Sequence, residues 1–366
     1  MLERTFAVVA VAASASRFPT ERMDEGTELT MEPRVRFGVV GVNHGHIYGM
    51  IDAATRGGGE LVSFHAREPE LAGEFQRRYP SARQVSDERG ILEDSTIQLV
   101  LSSITPVERA PLGIGVMQHG KDYMVDKPGI TTLDQLADVR RVQSATKRIY
   151  SVVYSERFEN GATVRAGELV RDGAIGQVIQ TVGFGPHRIH PPDRPAWFWD
   201  PSQHGGIICD IGAHQFDQFL FFTGSTAGEI VASQLRNVRH PDHPAFQDFG
   251  DVMVRGNRGT GYIRLDWFTP DGLPTWGDTR LTILGTDGYM EIRKNVDLAG
   301  RSGGNHLFIV DRAGVRYMDC DGVDLPYGRQ LIDDVLGRTE TAMTQNHCFL
   351  ATELALRAQA QARVVS

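Results

Sequence analysis

Short β-branched runs alternate with helically spaced apolar residues through the first 150 residues, and this alternation limits the possible folds of the 366-residue chain more than any other feature. Arg34 to Val42 reads RVRFGVVGV, a run ending in glycine, as a strand buried on both faces does where it enters a tight turn. Ile47, Met50, Ile51 and Ala54 then follow at helical spacing. ELVSFHA (Glu60 to Ala66) makes a second strand, Leu71, Ala72 and Phe75 a second helical face, and IQLVLSSI (Ile97 to Ile104) a nearly uncharged strand. Ala110 to His119 is helical and Lys121 to Val125 strand-like. Parallel strands need long crossovers, and helices of this spacing supply them, so a doubly wound parallel sheet of the α/β class is expected over 34–155.

After Tyr154 the pattern changes. Helical stretches near Thr163 to Arg171 and Asp210 to Phe222 precede extended segments at Gly228 to Val238, Phe249 to Arg255, Thr260 to Phe268, Thr279 to Leu284 and Tyr289 to Arg293. Consecutive strands without intervening helices pair antiparallel, and Leu281 to Arg293 reads as a hairpin turning at Gly285 and Gly288. A second, α+β domain is therefore expected over 156–340, with a cleft between it and the first. The Ala-rich tail, 341–366, is a helix packing back on the body, and 1–33 is an extension outside both domains.

Composition removes several classes of function. Lys and Arg total 38 against 46 Asp and Glu, a net charge of −8, which disfavours nucleic acid and anionic membranes as partners. Cys209, Cys320 and Cys348 lie far apart with no CxxC pair, so neither a disulfide framework nor a cysteine zinc site is expected. The longest uncharged runs, Phe6 to Ser16 and Ser95 to Val107, fall short of the roughly 18–20 apolar residues that span a bilayer. The first imitates a short signal segment, but Glu3 and Arg4 precede it in place of a positive region, so a cytoplasmic protein is expected.

The glycine turn carries the first functional signal. Gly38 to His46 reads GVVGVNHGH, a strand, turn and helix start where backbone N–H groups and the helix dipole can face a pyrophosphate. Gly41 stands at the first position of G-x-G-x-x-G, Asn43 at the second and His46 at the third, and Asn tolerates the left-handed region. Gly41, Asn43, His44, Gly45 and His46 are thus the expected cofactor turn. The second strand ends His65-Ala66-Arg67-Glu68, without the acid that usually meets the adenosine ribose. Arg67 is placed to pair with a 2′-phosphate, which favours NADP over NAD.

Three further motifs follow in order. Thr105-Pro106 closes the strand SSITP, HGKDYMVDKPG (His119 to Gly129) contains Asp126-Lys127-Pro128, and GGIICDIGAHQFDQFLFFTG (Gly205 to Gly224) contains Asp210, Gly212, His214 and Asp217. Together, from about Arg34 to the C-terminal helix, they resemble the glucose-fructose oxidoreductase, inositol dehydrogenase and rhizopine-catabolism protein family, Gfo/Idh/MocA. The resemblance implies an N-terminal Rossmann domain and a C-terminal domain with a large open, mainly antiparallel sheet. It also implies homodimers or homotetramers, and NAD(P)-dependent oxidation or reduction of sugars, cyclitols or their derivatives. Lys127 matches the lysine of the family's Glu-Lys-Pro motif, Asp126 replaces its Glu, and Asp210 and His214 match its catalytic Asp and His. Thr105, Pro106, Asp126, Lys127 and Pro128 join the expected cofactor contacts. Asn43, His46, Ala66 and Arg109 depart from the family pattern.

Removing hydride from a secondary alcohol needs a base for the hydroxyl proton and a cation to stabilise the oxygen's developing charge. His214 suits the base and Lys127 the cation, while Asp210, one helical turn before His214, suits orienting the imidazole or the substrate. Tyr154, Arg157, His187 and Trp197, with Asp210 and His214, are the expected contacts of a polyhydroxylated substrate. Two other readings compete. One is a metal-dependent lyase or hydrolase using His187, His190, His204, His214, His240 and His243 with Asp193 and Asp210, against which stands the absence of an HExxH pair, so no metal is expected. The other is a non-catalytic NAD(P)-binding sensor.

Overall fold

A computed structural model describes residues 34–365; the expected extension over 1–33 lies outside the described residues. The first sheet has six strands: β1 (Val35–Val40), β2 (Gly59–His65), β3 (Arg83–Gln84), β4 (Leu99–Ser102), β5 (Asp122–Asp126) and β6 (Tyr150–Val153). All its ladders are parallel, in the order β3-β2-β1-β4-β5-β6. Every residue of β4, β5 and β6 is buried, because helices cover both faces, and that is why these runs carry no polar alternation. Strand order reverses between β1 and β4, and in such sheets the crevice beyond the strand ends at this point is where ligands bind.

The second sheet has nine strands: β7 (Val178–Pro186), β8 (Gly228–Arg236), β9 (Phe249–Gly256), β10 (Thr260–Asp266), β11 (Arg280–Gly285), β12 (Gly288–Lys294), β13 (Asn305–Asp311), β14 (Gly314–Asp319) and β15 (Arg363–Val364). Their order is β14-β13-β12-β11-β7-β10-β9-β8-β15. The expected hairpin is present, with Leu284 opposite Tyr289. The sheet is mixed rather than wholly antiparallel, because β10 runs parallel to β7 and β15 parallel to β8. A β-hairpin cannot join parallel neighbours, and the chain between β7 and β10 instead passes through several helices and two edgeward strands.

The helix Gly212–Thr223 packs on β7 and β10 on one side and on the helix Gln345–Ala360 on the other, so residues all round it are buried. The helix Gln345–Ala360 also touches β6 and the helix Leu133–Thr146 of the first sheet. One continuous apolar core consequently includes Val39 and Val125 from the first sheet, Leu265 from the second and Phe216 from the helix Gly212–Thr223. This shared core fixes the cleft.

Candidate functional site

The cofactor turn is built from the end of β1. Gly41 has φ +77°, and a Cβ there would lie 2.6 Å from Cβ of Ile104, so only glycine lets β1 turn this close to the end of β4. The Ser102 hydroxyl donates to the Val40 carbonyl at 2.6 Å and the Ser103 hydroxyl to that of His44 at 2.9 Å, tying the turn to β4. Gly45 then caps the helix His46–Arg56 with no side-chain hydrogen bond and no acid in the first turn. Its N-terminal dipole therefore faces the crevice without a competing anion of its own, which fits a pyrophosphate.

Asn43 and His46 stand where the pattern has glycines, and both, like His44 between them, have an anchor. The Asn43 amide donates to Glu68 at 2.9 Å. Nδ1 of His44 and Nδ1 of His46 meet the two oxygens of Asp126 at 2.7 and 2.8 Å, and an ionised carboxylate only accepts, so both rings carry their proton on Nδ1. Nη2 of Arg109, fully buried, reaches the same carboxylate at 3.0 Å. The rest of its guanidinium bonds the carbonyls of Ile104 at 2.7 Å and Lys127 at 2.5 Å, clipping the end of β5 to the end of β4. Burial pushes the Asp126 carboxyl upward, and Arg109, His46 and His44 more than reverse this, holding it well below the usual range. The shorter Asp in place of Glu thus leaves room for two imidazoles.

A cavity of about 350 Å³ opens beside this network, lined by His44, His46 and Lys127 from the first sheet and by Glu156, His187 and Trp197 among others. Asp210 and His214 complete it from the helices Ile207–Asp210 and Gly212–Thr223. Nζ of Lys127 donates to Asp210 at 2.7 Å. Burial raises the Asp210 carboxyl, but Lys127 outweighs it and keeps the group ionised. Burial lowers the His214 ring to about 4, with Glu156 pulling the other way, so at neutral pH the imidazole is uncharged and proton-accepting. His187 is lowered to about 3 by burial and Lys127.

Several expectations need correction. The Asp210 carboxylate is engaged with Lys127 and shows no hydrogen bond to His214, although the two are one turn apart. Arg157 is not among the residues lining the cavity: it makes two 2.7 Å bonds to the fully buried Asp217 and lies over the rings of Phe158 and Phe221. The Tyr154 hydroxyl is turned away toward Thr352 at 3.2 Å, and its ring buttresses that of His214 with centroids 6.4 Å apart. Thr105 and Pro106 start the helix Pro106–Gln118, next to Ile104 and Val107, which line a second cavity with Arg67. Arg67 itself is paired with Glu108 at 2.5 Å. Pro128 forms a cis peptide with Lys127.

Of the histidines in the competing metal-site reading, His187 and His214 line the cavity with Asp210, while three others are engaged elsewhere. His240 bonds Asp248, His243 stacks on Trp199, and His204 packs on Phe198. Among the described residues, the three-residue His/carboxylate group with mutually close ligand atoms is instead His44, His46 and Asp126, within 4.8 Å, and Arg109 already neutralises its carboxylate.

Glu156, Arg188, Trp267 and Trp276 also line the cavity and were not singled out from the sequence. The bridges His187 to Gly277 and Arg188 to Phe268 fold the 267–277 loop over the cavity, a long-range pairing with no local sequence signal. Only Glu156 had one, an acid three residues past the last strand of the first sheet.

Comparison with known proteins agrees with this architecture. Residues 163–291 match the GFO/IDH/MocA C-terminal domain. A solved chain from Erwinia carotovora atroseptica SCRI1043, described as an oxidoreductase, is 43% identical, with a TM-score of 0.88 over 91% of this chain and 100% of that one. The Escherichia coli (strain K12) protein called uncharacterized oxidoreductase YdgJ is 25% identical over 56% of this chain. A Bacillus subtilis (strain 168) scyllo-inositol 2-dehydrogenase (NAD(+)) is 24% identical over 72% of this chain and 75% of its own length. The matches to the first two curated relatives span about six-tenths of those proteins, 59% and 61%. The chain belongs to the Gfo/Idh/MocA family. No helix among the described residues is long and apolar enough to cross a membrane.

Proposed function

We propose that the protein is an NAD(P)-dependent oxidoreductase that moves a hydride between a nicotinamide and a secondary alcohol or ketone of a sugar, a cyclitol or a derivative. The observation that carries this reading is the meeting of Lys127, from the end of the first sheet, with Asp210 and His214, from the helices of the second, on one cavity beside the glycine turn. The inositol dehydrogenase named among the relatives supports the substrate class. The bare helix start at Gly45 and the close approach at Gly41 fit a dinucleotide, which when bound supplies the hydride acceptor or donor. Its adenosine end would lie near the end of β2, where Ala66 offers no carboxylate and Arg67, once released by Glu108, would offer a cation for a 2′-phosphate, so NADP is the favoured form.

Within the cavity, Lys127 hydrogen-bonds the reacting oxygen and stabilises charge on it as the C–H bond breaks. Asp210 holds the ammonium in place. His214 takes the hydroxyl proton during oxidation and returns it during reduction, its neutral ring being the form that accepts. Trp197, Trp267 and Trp276 offer faces to the C–H surface of a ring.

Lys127→Ala and His214→Ala are each expected to lower kcat by at least about 1000-fold on the best substrate of a polyol and sugar panel. Cofactor affinity, measured by nicotinamide fluorescence, should change little. Rates near those of the parent in either variant would remove that residue from the mechanism.

A further inference from the structure

The proton that His214 takes from a substrate has to leave a ring poorly placed to keep it. The side chain is buried, and its Nδ1 has no hydrogen-bond partner among the described residues, so no carboxylate backs the imidazole there. Nε2 is therefore the nitrogen that works at the cavity. A proton accepted in one turnover must be passed on through the cavity before the next.

His44 and His46 line the same cavity in the opposite situation. Each gives its Nδ1–H to one oxygen of the buried Asp126, so the ring edge that carries Nε2 is the one turned away from the carboxylate. An imidazole backed by a buried carboxylate has its tautomer fixed and its charged form stabilised, as a group that takes up and returns protons at Nε2 requires. The two ring centroids are 4.1 Å apart, so a charge on one opposes a charge on the other. His44 is the ring that yields, because burial and His46 push it down to about 4. The His46 side chain is 41% exposed against 30% for His44, which leaves it as the proton carrier. Asp126 favours a cation at His46, while Arg109, Lys127, His44 and the N-terminus of its own helix oppose one. Such opposed influences suit a group that must both take a proton and give it up. Charge on His46 also disfavours charge on His214, which keeps the base neutral once the proton has moved on.

We propose that His46 is the proton port of the site. During oxidation the hydride goes to the nicotinamide and the hydroxyl proton to Nε2 of His214. That proton then passes through solvent in the cavity to Nε2 of His46, whose Nδ1–H stays on Asp126, and from there to bulk solvent or buffer. Reduction runs the same path inward, and no electrons move at either ring. Asp126 is the positioning residue.

This inference rests on the dehydrogenase reading, and comparing the first turnover with the steady state separates the two. With enzyme in excess over the best substrate of the polyol and sugar panel, His46→Ala should form NAD(P)H within about threefold of the parent rate, because His214 starts neutral. With substrate in excess and dilute buffer, its kcat should fall at least about 30-fold. About 0.1 M imidazole should raise that rate about tenfold and leave the parent unchanged. His46→Asn keeps a donor for Asp126 but has no second nitrogen to protonate, and should respond in the same way. His44→Ala loses an equivalent contact with Asp126 and should show no imidazole rescue, which sets the relay apart from a structural role. Cofactor titration reports that the variants are folded. If the His46 variants keep the parent's kcat, if their first turnover slows as much as the steady state, or if imidazole rescues only His44→Ala, His46 is not the port. Loss of parent activity on dialysis against EDTA would make the two rings metal ligands and overturn the relay as well. If the parent turns over no inositol or sugar with either cofactor, the dehydrogenase reading fails, and this inference fails with it.

Discussion

Two buried carboxylates stand on opposite sides of the cleft, Asp126 at the cofactor turn and Glu156 at the substrate end. Asp126 has His46 on Oδ1 and both His44 and Arg109 on Oδ2. Glu156 has three donors on Oε2 and none on Oε1. Each carries one buried cation, so net charge does not separate them. What separates them is completeness. A network closed on itself fixes geometry, as Asp126 fixes the turn against the end of β5. A network with one open acceptor retains that oxygen at a cost in stability, and such costs cluster where ligands bind.

If Asp126 is structural, removing it should register mainly as stability. Asp126→Ala strands the Arg109 guanidinium in the core and frees both imidazoles, and breaking a buried pair from one side costs about 3–5 kcal/mol. Denaturant unfolding of the variant should show that loss, together with a higher KM for the cofactor as the turn loosens. A loss below about 1 kcal/mol would mean that the closed network is not what holds the turn, and the contrast with Glu156 would lapse.

The substrate end should reveal itself by pH. His214 is 3% exposed, and burial lowers its ring from 6.5 to about 4. Between those two values the unfolded chain binds the proton and the folded chain does not, so stability rises with pH. The contribution is complete above about pH 6.5 and is lost as pH falls to about 4, reaching about 3 kcal/mol. His214→Gln should flatten the stability profile across this window by about that amount, as measured by urea midpoints at pH 7, 5.5 and 4. Parallel profiles for variant and parent would place the ring in a more polar setting than its burial indicates.

The sequence made the fold readable because both halves obey local rules. Uncharged strands ending in glycine declare a parallel sheet, and consecutive strands with a Gly285–Gly288 turn declare a hairpin. Lys127, Asp210 and His214 were legible as a set because motif spacing survives folding, and they do share one cavity. Arg157 and Tyr154 misled because chemical type does not reveal direction. The guanidinium is spent on Asp217 and the phenol on Thr352, partners 60 and 198 residues away. Asp126 with His44 and His46, and Glu156 with Lys294, were equally hidden, since their partners lie 82, 80 and 138 residues apart in the chain. The parallel neighbours β7 and β10 escaped notice for a similar reason, being separated by helices and two other strands.

The smallest expected effect tests an ion pair unlike either buried carboxylate. Arg67 and Glu108 meet at 2.5 Å with side chains 55% and 38% exposed, so the pair contributes little to stability, about 1 kcal/mol at most. Its significance lies in cofactor choice. Ala66 leaves the end of β2 without a carboxylate of its own, but Glu108 occupies the guanidinium that would meet a 2′-phosphate, and Glu88 and Glu68 add negative charge around it. Binding NADP through Arg67 therefore requires Glu108 to release it, and deleting each partner should shift preference in opposite directions. Arg67→Ala should lower the ratio of kcat/KM for NADP to that for NAD about tenfold, roughly 1.4 kcal/mol, while Glu108→Ala should raise it by a similar factor. A parent protein that uses NAD at least tenfold better than NADP, with neither variant moving the ratio, would leave Arg67 as a solvent-facing partner of Glu108 and nothing more.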